Sequence, residues 1–209
     1  TAPAAICACE IIRSRYTDVN IVFTPADQHI VDLQCFQTQI AEALQYASQH
    51  DEFIAVGVHP ATPNTGYGYI QMGESRGNGL SKVQSFTEKP DLHFAEMFVQ
   101  SGEFLWNTGL FICNTKAMSQ MVATEIPAVA ELQKSFETNN SPEAVSQAMQ
   151  VHYPLLQHQS LDLLLLEKTS NIVVMTCNFG WADVGAWPEL HEVEEKDSDY
   201  NAVIGSTRV

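Results

Sequence analysis

An aspartate in a short segment rich in glycine and tryptophan is the most informative feature of the sequence. The segment Gly180–Trp187 reads Gly-Trp-Ala-Asp-Val-Gly-Ala-Trp and holds two of the three tryptophans in the chain. Glycine lets the backbone approach a ligand closely, and the carboxylate of Asp183 is a hard oxygen donor of the kind that magnesium prefers. These residues indicate a metal-binding turn, although a turn packed between two core tryptophans fits the same pattern.

A second aspartate occupies a similar place earlier in the chain. Asp27 follows a short apolar run, 20–24, which we predict to be a strand. Ligands of open α/β sheets bind beyond the carboxyl ends of the strands. Asp27 and Asp183 could therefore share one magnesium ion on a nucleotide phosphate, because magnesium takes one or two protein carboxylates and fills its other positions with phosphate and water. A turn or helix-capping aspartate is the competing interpretation, and the sequence alone does not bring the two side chains together.

Three further segments carry groups suited to a sugar phosphate. The segment 66–69 (Gly-Tyr-Gly-Tyr) offers backbone N–H groups that a ligand can approach. Glu88 can accept hydrogen bonds from sugar hydroxyls, and the adjacent Lys89 can meet a phosphate. Asn107 lies beside Trp106, which sets an amide next to an aromatic ring, as in many sugar sites. An ordinary turn or a solvated strand end competes with each of these interpretations.

Charge and composition limit the classes of function. The 209 residues carry 25 acidic and 10 basic side chains, a net charge of −15 with histidine neutral. Nonspecific binding to nucleic acid or to an anionic membrane needs lysine and arginine, so we expect neither partner. We also expect no membrane span and no secretory signal. Five cysteines without CxxC spacing favour reduced thiols in a cytoplasmic protein.

The alternation of helical and strand-like segments predicts an α/β fold with a largely parallel sheet and helices on its faces. Helices are predicted at 1–15, 32–48, 92–100, in pieces over 116–151, and at 160–167. Strands are predicted at 20–24, 53–58, 69–73, 82–86, 109–113, 171–177 and 203–209. The turn signal Gly77-Asn78-Gly79 predicts a hairpin. A chain of this length needs only one core, so we expect a single domain over 1–209.

In order and in spacing, these segments resemble the core of the sugar-1-phosphate nucleotidyltransferases, most closely the mannose-1-phosphate guanylyltransferases. The segments that carry the resemblance are 1–4, 25–30, 65–70, 86–90, 102–111, 160–168 and 180–187. Each segment is weak evidence by itself. Their number and order over nearly the whole chain make the resemblance specific.

The resemblance implies a Rossmann-like core, with a mixed, mostly parallel sheet, and an enzyme that converts GTP and mannose 1-phosphate to GDP-mannose and pyrophosphate. It implies Mg²⁺ held by Asp27 and Asp183, with Lys89 and Lys168 facing phosphate, and these four would be the catalytic residues. The residues that it implies for substrate binding are Gly66, Tyr67, Gly68, Glu88, Lys89, Asn107, Gly109 and Asp162. A non-catalytic nucleotide-sugar binding or regulatory module, or an enzyme for another hexose 1-phosphate, stays open as an alternative.

The sequence departs from the family pattern in two places. The family usually reads Ser-Asp-His where this chain has Ala26-Asp27-Gln28, so the hydrogen bonding of that loop is expected to differ. The family also opens with a first strand and a glycine-rich, arginine-containing loop, and nothing in this sequence matches them. We therefore expect a partial, N-terminally incomplete domain that is inactive alone. Its exposed sheet edge predicts self-association, for example as a homo-oligomer.

Overall fold

A computed structural model of the chain describes residues 1–126, 128–139, 141–156, 158–185, 187–203 and 205. Its helices are α1 (Ala2–Arg13), α2 (Leu33–Ala47), α3 (Leu92–Ser101), α4 (Thr115–Glu125), α5 (Ala128–Thr138), α6 (Pro142–His152), α7 (Leu161–Lys168) and α8 (Trp187–Val193), with a short 3-10 helix over Tyr153–Leu155. Its strands are β1 (Asn20–Phe23), β2 (Gln28–Ile30), β3 (Phe53–Val58), β4 (Tyr69–Gly77), β5 (Leu80–Thr87), β6 (Phe104–Asn114), β7 (Ile172–Cys177) and β8 (Trp181–Asp183). The strand predicted at 203–209 falls mostly outside the described residues. No helix among the described residues combines the length and the apolar character needed to cross a bilayer.

Six strands form one mixed sheet in the order β1-β6-β3-β7-β5-β4, and β4 also pairs with the start of β6. The α/β architecture is confirmed, but the prediction of a mostly parallel sheet is wrong. Among the described strands only β3 and β7 pair in parallel. The helix α2 does connect two strands of the same direction, β1 and β3, but β6 lies between them and runs the opposite way. The apolar pattern of a sequence shows which segments are strands. It does not show which strands pair with one another or in which direction.

The predicted hairpin joins β4 to β5, with Gly77 paired to Leu80. The two loop residues, Asn78 and Gly79, have φ angles of 52° and 74°. Positive φ at both central positions is the requirement of the hairpin turn whose twist matches that of the strands, and asparagine followed by glycine meets it at low cost. The turn chemistry in the sequence therefore fixes this hairpin.

The sheet separates two hydrophobic clusters, as the central strand β3 shows. Phe53 and Ala55 belong to the cluster covered by α1 and α4 to α7, while Ile54 and Val56 belong to the cluster covered by α2 and α3. Both faces of β3 are thus buried, which explains its continuous apolar sequence. The rigid double-sided core supports the loops at the ends of its strands.

A separate two-stranded ribbon joins two segments that are far apart in the sequence. β2 pairs antiparallel with β8, so that Gln28 lies opposite Asp183 and Ile30 lies opposite Trp181. Neither strand was predicted, because three residues are too few for hydrophobic periodicity to show. This pairing sets the Asp27 loop beside the Gly180–Trp187 segment.

Candidate functional site

The ribbon places the two predicted metal-binding aspartates side by side. The backbone N–H of Val184 donates to the carbonyl of Asp27 at 3.0 Å, which extends the ladder past β2. A Cβ built on Gly185 would lie 3.1 Å from Asp183 Oδ1 and 3.3 Å from Asp27 Oδ2. Both carboxylates therefore border the same small space.

These aspartates help to line a cleft of about 190 Å³. Its lining residues are Pro25, Asp27, Gln28, Gly66, Tyr67, Gly68, Glu88, Lys89, Asn107, Thr108, Gly109, Asp162, Trp181 and Asp183. Every site residue named from the sequence is present except Lys168, which ends α7 with an exposed side chain and is not among the lining residues.

Four lining residues were not among the predicted site residues: Pro25, Gln28, Thr108 and Trp181. A signal for Trp181 was available, because it stands two residues before Asp183 in a strand-like segment and side chains two apart share one face of a strand. Gln28 was noted as a departure from the family pattern, but its partner Thr108 could not be predicted because it is distant in the sequence.

Asn107 is held in one orientation by contacts with three parts of the chain. Its side-chain amide donates to Asp162 Oδ1 at 2.8 Å, and its Oδ1 accepts from the backbone N–H of Gly109 at 3.1 Å. Its own backbone N–H donates to the carbonyl of Gly68 at 2.8 Å. Asp162 lies in the first turn of α7, so this network joins that helix, β6 and the glycine-rich loop. The second carboxylate oxygen of Asp162 can accept a ligand hydroxyl.

The strand β6 is kinked where it passes the cleft. Its register with β3 shifts between Ala55 and Gly57, and residues 108–110 have no strand partner among the described pairings. Gly109 has φ of 72°, and a Cβ there would lie 2.9 Å from Pro25 Cγ. Glycine allows both the left-handed backbone and the close approach of the loop after β1.

Glu88 and Lys89 bring opposite charges to the cleft. Glu88 Oε1 lies 3.8 Å from Lys89 Nζ. Burial raises the pKa of Glu88, and the carboxylates of Asp162 and Glu167 raise it further, while Lys89 partly opposes them. Lys89 has φ of 43°, a left-handed conformation that is uncommon outside glycine and that concentrates at functional sites.

An aromatic wall borders the carboxylate pair. The ring of Tyr67 packs edge-on against Trp106 at 5.1 Å and against Trp181 at 5.3 Å. Burial raises the pKa of Tyr67, and the nearby charges of Asp183 and Glu189 act in the same direction. The buried indole N–H groups of Trp106 and Trp181 have no acceptor among the described residues. A sugar ring can pack against such a wall while its oxygens meet polar groups.

Comparison with known proteins decides the family. A sequence profile of the family described as nucleotidyl transferase matches residues 1–200. The chain belongs to the nucleotidyl transferase family.

Several relatives of this chain are named for one sugar phosphate. Mannose-1-phosphate guanylyltransferase of Escherichia coli is 30% identical over 223 residues, which cover 98% of this chain and 46% of that protein. The xanthan biosynthesis protein XanB of Xanthomonas campestris pv. campestris (strain B100) is 34% identical over 207 residues, which cover 98% of this chain and 44% of that protein. A crystal structure of mannose-1-phosphate geranyltransferase from Thermus thermophilus matches with a TM-score of 0.80 at 26% identity, over 94% of this chain and 56% of that chain. The chain spans about half the length of these relatives.

The pair of carboxylates, Asp27 and Asp183, suits one kind of metal site. Among the described residues there is no cluster of three or more histidine, cysteine, aspartate or glutamate side chains that could hold a metal ion. A closed site made of protein ligands is therefore not formed by this part of the chain. Two adjacent carboxylates instead match magnesium, which commonly binds through one or two carboxylates and completes its shell with phosphate and water.

Proposed function

We propose that this chain holds the sugar phosphate and the metal ion in a mannose-1-phosphate guanylyltransferase. Such an enzyme transfers GMP from GTP to mannose 1-phosphate and releases pyrophosphate. The observation that carries the proposal is the single cleft that Asp27 and Asp183 share with Glu88, Asn107 and Asp162. The relatives named for this activity, which align with nearly the whole chain, support it.

The polar side of the cleft supplies the contacts that a hexose needs. Glu88 and Asp162 can accept hydrogen bonds from neighbouring hydroxyls, and acceptors fixed in advance lose little entropy on binding. The amide of Asn107 cannot rotate freely because Asp162 and Gly109 hold both of its ends. The ring of Trp181 can cover the apolar face of the sugar.

The charge of the cleft requires a cation beside the phosphates. Its lining includes the carboxylates of Asp27, Glu88, Asp162 and Asp183, against the single ammonium of Lys89. A phosphate brought into such surroundings is repelled unless positive charge accompanies it. Magnesium held by Asp27 and Asp183 would neutralise and align the phosphates.

The transfer itself depends mainly on positioning. An oxygen of the sugar phosphate forms a bond to the α-phosphorus of GTP, and the bond from that phosphorus to the leaving pyrophosphate breaks. Holding the two reactants in line lowers the entropic part of the barrier. In our proposal Glu88, Asn107 and Asp162 fix the sugar while Lys89 faces its phosphate. The five cysteines are free thiols, which suits the reducing cytoplasm as the place of this reaction.

Calorimetric titration with GDP-mannose tests the site directly. We expect binding to the chain to depend on magnesium, because the product carries two phosphates into an acidic cleft. Asp183→Asn should weaken this magnesium-dependent binding at least about tenfold, since it removes one of two metal ligands. Asp199→Asn, which removes one exposed carboxylate that does not line the cleft, is the matched control and should bind as the native chain does.

Activity is tested in the protein that carries this chain. Pyrophosphate release from GTP should require both magnesium and mannose 1-phosphate. It should be slower when another nucleoside triphosphate replaces GTP or when glucose 1-phosphate replaces mannose 1-phosphate. Faster release with glucose 1-phosphate would point to a different hexose. If GDP-mannose binds equally well with and without magnesium, and equally well to Asp183→Asn, the assignment of Asp27 and Asp183 as metal ligands is wrong.

A further inference from the structure

We propose that Gln28 is a positioning residue that ties the β2–β8 ribbon to β6 and so holds the carboxylates of Asp27 and Asp183 together. The inference rests on the proposed function, because it concerns the carboxylate pair that would bind the metal. It assigns to Gln28 no direct part in the transfer.

Gln28 stands at the end of the ribbon that carries the two aspartates. It follows Asp27 in the chain and lies opposite Asp183 in the strand register. The ribbon is a separate two-stranded sheet and does not share a ladder with the six-stranded sheet. A displacement at Gln28 would therefore move both carboxylates relative to the sugar side of the cleft.

The side chain of Gln28 supplies a directional link to the main sheet. Its Nε2 donates a hydrogen bond to the carbonyl oxygen of Thr108. Thr108 is a rigid acceptor, because it is only 2% exposed and its hydroxyl donates to the carbonyl of Val56 at 2.9 Å. The same hydroxyl accepts from the backbone N–H of Leu110 at 3.3 Å.

The kink in β6 explains why this carbonyl takes a side-chain donor. Thr108 lies in the stretch 108–110, which has no strand partner among the described pairings. A backbone carbonyl outside a ladder needs another hydrogen-bond donor when it is shielded from water. The other side of the ribbon contacts Tyr67, whose ring packs against Trp181 at 5.3 Å between centroids and whose hydroxyl hydrogen-bonds with the backbone of Asp183. The backbone ladder sets the register of the ribbon, and the bond from Gln28 to Thr108 ties the ribbon to β6, the strand that carries Asn107 on the sugar side of the cleft.

Manganese binding to the full chain, followed by electron paramagnetic resonance without nucleotide, tests the inference. Gln28→Met keeps the unbranched shape and removes the donor, and it should weaken manganese binding about tenfold, as is typical when a group that orients a metal ligand is lost. Gln28→His restores a ring N–H donor and should bind within about threefold of the native chain. The thermal midpoint without metal should shift by less than about 3 °C in either variant.

Two controls separate this inference from the proposed function. Gln100→Met, at an exposed position near the end of α3, should leave manganese binding unchanged. Asp183→Asn should remove it. If Asp183→Asn removes binding while Gln28→Met has no effect, or if Gln28→His fails to restore what Gln28→Met loses, the role of Gln28 is wrong. If Asp183→Asn binds manganese normally, the metal site and this inference both fail.

Discussion

At the scale of single residues, the cleft holds a carboxylate that works against folding. The pKa of Glu88 is raised by burial and by the charges of Asp162 and Glu167. The folded protein therefore binds this proton more tightly than the unfolded chain does. Protonation of Glu88 therefore stabilises the folded protein. This stabilisation is complete at pH values below the pKa of Glu88 in the unfolded chain, and it is lost as the pH rises through the pKa of Glu88 in the folded protein. At neutral pH the charged Glu88 thus lowers the free energy of unfolding.

Replacing Glu88 with glutamine should stabilise the free protein and impair its site. We expect Glu88→Gln to raise the free energy of unfolding by up to about 0.5 kcal/mol near pH 8, a small value because the side chain is 40% exposed. The gain should vanish as the pH falls to about 4, where the glutamate is protonated. Binding of GDP-mannose should weaken, since an amide replaces one hydroxyl acceptor.

Urea denaturation across this pH range measures the effect. Glu96→Gln, at an exposed position on α3, reports how much of any change comes simply from removing one negative charge. A loss of stability in Glu88→Gln at pH 8, with none in the control, would contradict the account.

The sequence predicted which residues share the cleft better than it predicted the bonds that hold them there. Asp27, Asp183, Glu88 and Asn107 could be identified because carboxylates and amides beside glycine or at strand ends are typical of ligand sites. The bond from Gln28 to Thr108 could not be predicted, because it depends on a kink in a distant strand. Lys168 was predicted from the resemblance to face phosphate. Its exposed side chain is not among the residues that line the cleft, so this role stays a prediction.

At the scale of elements, Asn114 joins the end of β6 to the start of α4. Its Oδ1 accepts from the backbone N–H of Ala117 at 2.7 Å and so caps the helix. Its amide nitrogen lies within 3.2 Å of acceptors on the α2–β3 connection, the carbonyls of Ala47 and His50 and Oδ1 of Asp51. One side chain thus fixes a helix, a strand and a loop.

Two substitutions at Asn114 separate these roles. Asn114→Ser keeps a capping oxygen and loses the amide donor, so we expect it to lower the free energy of unfolding by about 1–2 kcal/mol. Asn114→Ala also loses the cap and should cost about 1 kcal/mol more. Equilibrium unfolding in urea measures both values. Equal losses in the two variants would show that the cap contributes nothing, and no loss in either would contradict the whole arrangement.

Local signals in the sequence identified helices more reliably than sheet neighbours. The helices predicted at 32–48 and 160–167 open with Asp32 and Ser160, and each of these side chains accepts from a backbone N–H in the first turn of its helix. The strand predicted at 109–113 begins earlier, at Phe104, because its polar residues Asn107 and Thr108 interrupt the apolar pattern. Strand order and direction depend on partners that are distant in the sequence, which explains why the mostly parallel sheet was a wrong prediction.

At the scale of the whole molecule, the net charge of −15 sets how the protein responds to salt. Like charges repel one another more strongly in the compact state than in the expanded one. Surface ion pairs act in the opposite sense, for example Lys116 with Asp51 at 2.5 Å and Lys82 with Glu74 at 2.7 Å. Such exposed pairs contribute little to stability, and only 10 basic residues are available to form them. Repulsion should therefore exceed these local attractions.

Raising sodium chloride from about 0.05 to 0.5 M should increase the free energy of unfolding by roughly 1 kcal/mol, because the screening length falls below the spacing of most surface charges. Magnesium chloride at equal ionic strength should stabilise the native chain further, since a bound ion favours the folded state, and this excess should be absent in Asp183→Asn. Light scattering over the same salt series tests self-association, which screening should promote at the open edge of β1. A steady loss of stability with sodium chloride would mean that the ion pairs outweigh the repulsion. An equal magnesium excess in both proteins would place the ion on the general acidic surface, away from the Asp27–Asp183 pair.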